Sequence, residues 1–178
     1  MACRSLIALV VLGTFAACGG GPASNQNKEG SRNQAAASNP NTLDTEGRTA
    51  LDRAAASGDL SAVQSLLDGG ADVNARGGSG ITALMTASGM GHIEVAKTLI
   101  ARGADVNART PGNYTALMQA ALTGQADIIR ILLEAGADAT VIDAGGRTAA
   151  KYAEEKGHNE IVELLGGHAP RGGKRKGN

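Results

Sequence analysis

The chain has 178 residues, and its 17 basic and 17 acidic side chains give a formal net charge of zero. This charge is unevenly distributed, because residues 44–166 hold 10 basic and 16 acidic side chains whereas residues 167–178 carry a net charge of +4. An acidic central region argues against a nucleic-acid-binding surface, which needs clustered Lys and Arg side chains. With one Phe, two Tyr and no Trp, any core must come from small and aliphatic side chains.

The first 17 residues have the features of an export signal. Arg4 supplies a positive start, residues 6–12 form an apolar run, and Ala16 and Ala17 are small residues placed before a cleavage point. The apolar run is shorter than the roughly 20 residues that a membrane-spanning helix needs. The sequence therefore predicts a signal peptide over residues 1–17, which is removed on export.

A cysteine follows this leader directly. The segment Phe15-Ala16-Ala17-Cys18 resembles the lipobox of bacterial lipoproteins, although Phe15 stands where that family usually has Leu. The resemblance implies that the Cys18 thiol carries a diacylglyceryl group and becomes the mature N-terminus. An ordinary signal peptide without lipid is the alternative. Because Cys3 leaves with the leader, Cys18 would be the single cysteine of the exported chain and could form no internal disulfide.

A polar stretch separates this cysteine from the rest of the chain. Residues 19–43 begin with three glycines and are rich in Ser, Asn and Gln. We interpret residues 18–43 as the lipidated cysteine with a flexible linker, whose typical reach is about 28 Å for a chain of this length. More than one acyl chain gives stable anchoring, so we expect a protein held on a membrane of the bacterial cell envelope, in the periplasm or at the cell surface.

One unit recurs along the central region every 33 residues. A Thr-Ala pair, a Gly and a Leu each occur four times with this spacing. These residues are Thr49, Thr82, Thr115 and Thr148; Gly58, Gly91, Gly124 and Gly157; and Leu66, Leu99, Leu132 and Leu165. A shared period over this many positions indicates a repeat protein. We place the units at residues 44–76, 77–109, 110–142 and 143–166, the last one being shortened.

The local structure of each unit can be predicted from its residues. Thr49 can accept a hydrogen bond from a free backbone N–H and so begin a helix. Gly58 can end that helix in a left-handed conformation. A second helix follows, with apolar residues at helical spacing, namely Leu60, Val63, Leu66 and Leu67. A Gly-rich, hairpin-like loop over residues 77–80 leads to the next unit. The predicted fold class is therefore an all-α repeat solenoid of stacked helix-turn-helix units with hairpin-like loops.

These units resemble the ankyrin repeat over residues 44–166. The segment Gly103-Ala104-Asp105-Val106-Asn107-Ala108 matches the end of the family pattern completely, and residues 44–51 match its start except at one position. That position is the family Pro, which is Ala in every unit. The resemblance implies a module that binds proteins.

The family His is also replaced, and its substitutes are Asp52, Met85, Met118 and Lys151. We therefore expect the hydrogen bond from that His to the Thr to be missing, and the starts of the first helices to be somewhat softer. The last unit departs in another way, since Glu154 stands where earlier units have Ala55, Ser88 and Ala121. A polar last unit suits the open end of a stack.

The sequence contains no converging set of catalytic groups. His92 and His158 share one repeat position two units apart, so their rings should lie roughly 20 Å from each other and cannot share a metal ion. The Gly runs at 19–21 and 77–80 lack the strand and helix of a phosphate-binding loop. We predict that the protein is not an enzyme and has no cofactor, no metal and no small-molecule substrate.

Variable positions within the repeat predict where a partner binds. The position before the Thr and the end of the first helix are apolar in the two middle units and mostly charged or small in the outer two, a pattern typical of interfaces. The predicted partner-binding residues are Arg48, Ile81, Met90, Tyr114, Leu122 and Arg147. We expect Tyr114 and Ile81 to be dispensable for folding, because Arg occupies their position in the flanking units. Met85 and Met118 either join this surface or fill the space between helices.

The function indicated is that of an exported, lipid-anchored module that binds an unidentified protein partner in the cell envelope. Two other functions remain open at this stage: an accessory that stabilises or protects an envelope enzyme, and an effector or immunity protein that acts on another cell. The basic tail over residues 167–178 is interpreted as a solvated, disordered end, with contact to anionic lipid or an acidic partner as the alternative.

Overall fold

The computed structural model of the chain describes residues 41–166. This part contains eight α-helices and one isolated β-bridge, between Arg76 and Thr82. The helices are α1 Ala50–Ser57, α2 Leu60–Asp68, α3 Ala83–Met90, α4 Ile93–Ala101, α5 Ala116–Thr123, α6 Ala126–Glu134, α7 Ala149–Lys156 and α8 Asn159–Gly166. The predicted leader, the lipidation site Cys18, the linker up to residue 40 and the tail from residue 167 lie outside the described residues.

The helices form two parallel rows. The odd-numbered helices, which we call the inner helices, pack side by side in chain order, and each also packs against the even-numbered outer helix that follows it. The inner helices begin at Ala50, Ala83, Ala116 and Ala149, which are 33 residues apart. The predicted all-α repeat solenoid is confirmed.

Threonine and glycine define the ends of the inner helices. In all four units the Thr hydroxyl accepts a hydrogen bond from the backbone N–H three residues later, at 3.0 Å from Asp52 and 3.3–3.4 Å in the other three units. Each inner helix ends at a Gly with φ between 70° and 82°, a left-handed conformation that residues with a Cβ rarely adopt. The predicted boundaries of the first helices are therefore confirmed.

The first unit has a cap that the sequence analysis did not anticipate. We expected the hydrogen bond from the family His to the Thr to be missing, and in the first unit Asp52 supplies a different one in its place. Its Oδ2 accepts a hydrogen bond from the backbone N–H of Thr49 at 3.2 Å, which completes a capping box. Asp52 is buried, and this burial raises the pKa of its carboxyl group above the usual range.

The loops between units are linked by a ladder of asparagine side chains. In each step the Asn Oδ1 accepts a hydrogen bond at 2.8–2.9 Å from the backbone N–H of an Asp 31 residues later: Asn41 with Asp72, Asn74 with Asp105, and Asn107 with Asp138. Each Asp in turn accepts a hydrogen bond from the backbone N–H two residues later. The Asp residues thus order the turn, and within the described residues the ladder begins at Asn41, three residues before the first predicted unit.

Small and aliphatic side chains fill the space between the helices. Leu99 is completely buried, as are Ile129 and Leu132 of the next unit. Met85 and Met118 are 2% and 1% exposed. Both methionines therefore fill the space between helices, and Met85 in addition lines a cavity together with Ile81 and Met90.

His92 has a structural role between the first two units. Its ring lies against Gly58, where an added Cβ would come within 2.6 Å of the ring Nδ1. Nε2 of the same ring lies 3.1 Å from the carbonyl oxygen of Ala56. His158 takes the same place against Gly124 two units later. Both rings therefore pack between neighbouring units of the stack.

Candidate functional site

A groove lies between the second and third units, along the inner helices α3 and α5 and the loops that precede them. Its volume is about 390 Å³. The residues that line it are Ser79, Ile81, Met85, Thr86, Met90, Thr110, Tyr114 and Gln119. We call this feature the inner groove. Its volume lies at the lower end of the range of about 300–1,000 Å³ typical of pockets that bind small molecules.

The inner groove exposes apolar side chains to solvent. Ile81 is 39% exposed and Met90 is 61% exposed, whereas Met85 beneath them is buried. In the described part of the chain, the exposed large hydrophobic residues are Leu43, Ile81, Met90 and Ile142. Two of these four residues line one groove, and clustering of this kind is typical of contact surfaces.

Three of the six predicted partner-binding residues line the inner groove, namely Ile81, Met90 and Tyr114. Leu122 is half-buried on α5 and packs against the core. Arg48 is exposed in the first unit, where its guanidinium group forms an ion pair with Glu46 at 2.6 Å. The structure thus brings together three of the four predicted residues of the middle units and leaves the two arginines in the outer units.

Tyr114 contacts a cluster in the fourth unit. Its ring meets the ring of Tyr152 edge to face, with 5.5 Å between centroids. The guanidinium carbon of Arg147 lies 4.4 Å from the centroid of the Tyr152 ring. Asp143 accepts a hydrogen bond from the Tyr152 hydroxyl at 2.5 Å and one from Arg147 at 3.2 Å. We call these four residues the tyrosine cluster.

Electrostatics fix the protonation states of this cluster. The hydrogen bond from Tyr152, together with those from the backbone and side chain of Arg147, lowers the pKa of Asp143 to about 2. Burial, together with the hydrogen bond to Asp143, raises the pKa of Tyr152 to about 12. At neutral pH the carboxylate is therefore charged and the phenol is protonated, which suits a fixed structural contact rather than proton transfer.

The repeat is also recognised by comparison with known families. A family model described as ankyrin repeats (3 copies) matches residues 23–110, and a second, described as ankyrin repeats (many copies), matches residues 99–153. The chain belongs to the ankyrin repeat family. No match to a curated protein was found. Ankyrin repeats are in general modules for protein–protein interaction, and their loops and inner helices are the elements that build the inner groove here.

The ankyrin fold corrects one expectation about the loop position before the Thr. We expected Tyr114 to be dispensable for folding because Arg147 occupies the same position one unit later. Both residues instead make intramolecular contacts with Tyr152. An Arg is accepted there because its guanidinium group lies over a ring face and pairs with Asp143, without entering the core. Ile81, which is 39% exposed and lines the inner groove, keeps the predicted character of an exposed contact residue.

The sequence analysis missed Tyr152 and Asp143. Tyr152 is the single large aromatic residue at its repeat position, where earlier ankyrin units have Arg53, Thr86 and Gln119. One signal for this contact was available in the sequence. Tyr152 replaces the polar residues of the other units, and the second tyrosine of the chain, Tyr114, lies in the adjacent unit.

Two further properties of the described ankyrin units bear on function. Over residues 41–166, no group of three or more His, Cys, Asp or Glu residues is arranged to hold a metal ion. None of the helices within the same range has both the length and the apolar character needed to cross a membrane.

Proposed function

We propose that this ankyrin repeat protein is exported, is anchored to a membrane of the bacterial cell envelope through a lipid on Cys18, and binds a protein partner in the inner groove. The observation that carries the proposal is the pair Ile81 and Met90, which expose apolar surface in one groove together with the buried side chain of Met85. Removing such surface from water on binding is favourable by roughly 25 cal/mol for each Å².

The groove has the chemistry of a site for an apolar side chain. Its floor offers a flexible thioether side chain that can adapt to an inserted group. Its sides carry polar groups from Thr86 and Gln119, which can form hydrogen bonds with a partner's backbone. The groove thus combines exposed apolar side chains with polar groups, and both kinds of contact contribute to protein interfaces.

The proposed location rests on the leader. The run of apolar residues before Phe15-Ala16-Ala17-Cys18 supports export, and the resemblance to a lipobox supports attachment of lipid to Cys18. A lipid anchor keeps the ankyrin domain near the membrane, so the partner belongs to the envelope or to the space beside it.

The test is a pull-down from detergent-solubilised envelope with the full chain and Cys18 intact. We expect a defined protein to be retained in stoichiometric amount by the wild type and lost with Ile81→Asp. The matched control is Ile142→Asp, because Ile142 is also an exposed isoleucine in a loop but does not line the groove. Retention by Ile81→Asp, or equal loss with both variants, would contradict binding in the groove.

A further inference from the structure

One buried carboxylate organises the loop that begins the fourth unit. Oδ1 of Asp143 accepts hydrogen bonds from the backbone N–H groups of Gly145 and Arg147, each at 2.8 Å. Oδ2 of the same carboxylate accepts a hydrogen bond at 2.5 Å from the hydroxyl group of Tyr152, which lies nine residues later on the inner helix α7. The loop and helix therefore direct three donors at one carboxylate.

The first unit has the same arrangement. Oδ1 of Asp44 accepts hydrogen bonds from the backbone N–H groups of Glu46 and Arg48, each at 2.9 Å. Its Oδ2 accepts a hydrogen bond from Nη1 of Arg53 at 3.4 Å, again nine residues later. The same three repeat positions thus donate to a carboxylate in both outer units, which identifies the acceptor that this loop conformation fits.

The second unit has the three donor positions without the carboxylate. Gly77 stands where the outer units have Asp. The donors at the matching positions are the backbone N–H groups of Ser79 and Ile81 and the hydroxyl group of Thr86. Among residues 41–166, no acceptor is within hydrogen-bonding distance of these three groups. All three residues line the inner groove, so the donors border the surface proposed for the partner.

The chain does not readily supply an acceptor in this unit. In the third unit, Oγ1 of Thr110 replaces the carboxylate and accepts a hydrogen bond from the backbone N–H of Tyr114 at 3.1 Å. In the second unit, a Cβ added at Gly77 would come within 2.9 Å of the carbonyl oxygen of Gly47 and 3.3 Å of Oδ2 of Asp52. A side chain at residue 77 would therefore be crowded, and another molecule can supply the acceptor instead.

We propose that the donors of Ser79, Ile81 and Thr86 bind the carboxylate of an Asp or Glu side chain of the protein partner, while an apolar side chain of that partner enters the inner groove. This inference rests on the proposed function of the groove and specifies the partner's chemistry. A carboxylate is favoured over a neutral acceptor because the equivalent donors of both outer units hold one. Hydrogen bonds to an ionised acceptor are also roughly twice as strong as those between neutral groups.

This site uses hydrogen bonds rather than an ion pair. Arg147, at the repeat position of Ile81, pairs with Asp143 at 3.2 Å in the fourth unit, whereas Ile81 offers apolar surface. The carboxyl group of Asp52 lies near Gly77, but Asp52 is 3% exposed and does not line the groove. The partner's carboxylate therefore enters from the groove side, and an adjacent apolar side chain adds affinity by burial.

Amide chemical shifts of the isotope-labelled full chain in detergent test the site. One probe is the amide of N-acetylaspartate, whose carboxylate is on its side chain, and the other is its neutral counterpart, the amide of N-acetylasparagine. We expect saturable shifts of the Ser79 and Ile81 N–H resonances, with about tenfold tighter binding of the aspartate probe. The N–H groups of Gly145 and Arg147 are the internal control, because Asp143 already binds them.

The proposal is overturned by equal affinity for the two probes, by the absence of a saturable shift at Ser79 and Ile81, or by equal shifts in the fourth unit. A third probe, N-acetylalanine, carries its carboxylate at a chain end. We expect it to bind more weakly than the aspartate probe, because both outer units present their carboxylates on a side-chain methylene. Equal or tighter binding of N-acetylalanine would point to a partner's C-terminus and would overturn the assignment to a side chain.

Thr86→Val tests the third donor, since it removes the hydroxyl group at nearly constant shape. We expect about tenfold weaker binding of the aspartate probe and a nearly unchanged melting temperature. Thr98→Val is the matched control, because Thr98 is also a half-buried helical threonine but does not line the groove. Equal affinity of both variants would contradict the three-donor site. The probes contain no protein partner, so their failure contradicts the carboxylate site alone, whereas retention of the partner by Ile81→Asp contradicts binding in the groove.

Discussion

The hydroxyl group of Tyr152 donates a hydrogen bond to Oδ2 of Asp143 at 2.5 Å, which ties helix α7 to the loop that precedes it. The same carboxylate accepts hydrogen bonds from the backbone N–H groups of Gly145 and Arg147, so it organises the turn as well. Tyr114 of the third unit packs edge to face on the ring of Tyr152. The last two units are therefore joined by a polar and aromatic contact in addition to their apolar core.

This contact predicts a loss of stability in acid. Because the pKa of Asp143 is lowered from 3.8 to about 2, its contribution to stability is present above about pH 4 and is lost as the pH falls toward 2. Tyr152→Phe removes the hydrogen bond that contributes most to this shift. We expect Tyr152→Phe to lower the thermal midpoint at pH 7, and the difference from wild type to shrink at pH 2. Thermal unfolding followed by circular dichroism from pH 2 to 7 is the measurement. A difference independent of pH would mean that the charge on Asp143 is not involved.

Tyr114 should respond differently to loss of its hydroxyl group and loss of its ring. Its hydroxyl oxygen is buried without a hydrogen-bond partner, so Tyr114→Phe should be neutral or slightly stabilising. Tyr114→Ala removes a half-buried ring that packs on Tyr152 and should cost roughly 1–3 kcal/mol of unfolding free energy. Chemical denaturation measures both. If Tyr114→Phe proves the more destabilising variant, the hydroxyl group has a partner and this account of the cluster is wrong.

Leu99 tests the core of the stack. It is fully buried on α4 between units, so Leu99→Ala should cost about 2–5 kcal/mol of unfolding free energy. Lys97→Ala on the same helix is the matched control, and it should change stability by no more than about 0.5 kcal/mol because Lys97 is exposed. Denaturant titration of both variants gives the comparison. A cost below about 0.5 kcal/mol for Leu99→Ala would contradict the packing described here.

The anchor is tested by lipid labelling in a bacterial host. We expect radiolabelled palmitate to enter the wild-type chain and not Cys18→Ser, since Cys18 follows the small residues of the predicted leader. Cys3→Ser is the control and should label like the wild type. Equal labelling of Cys18→Ser would rule out lipidation at that residue and leave the export of a soluble chain as the simpler interpretation.

Most of the fold could be predicted from the sequence because the 33-residue period of the repeat is visible in it. Thr49 and Gly58 mark the ends of the first helix through local backbone chemistry, and their counterparts do so in every unit. Leu99 could be placed in the core because its repeat position is always Leu. Such features depend on neighbours along the chain or on an invariant position, and both are visible in one sequence.

The site was harder to predict because it depends on contacts between units. Tyr114 and Ile81 line the same groove, but Tyr114 also contacts Tyr152, which lies 38 residues later in the sequence and at a different repeat position. The burial of Met85 and Met118 could not be decided either, since Asp52 and Lys151 at the same position suggested solvent. Asp52 is buried with its Oδ2 accepting a hydrogen bond from the backbone N–H of Thr49, a local contact that the pattern of apolar residues does not reveal.

The central claim is that the inner groove binds the partner, and one affinity measurement tests it most directly. Once the pull-down has identified a partner, its affinity is measured for the wild type, for Ile81→Ala combined with Met90→Ala, and for Ile142→Ala. We expect all three proteins to melt at nearly the same temperature, because both groove residues are exposed. The double variant should lose about 2 kcal/mol or more of binding free energy, which is roughly thirtyfold in affinity, while Ile142→Ala should bind like the wild type. Unchanged affinity of the double variant, with its fold intact, would show that the partner binds elsewhere on the ankyrin domain.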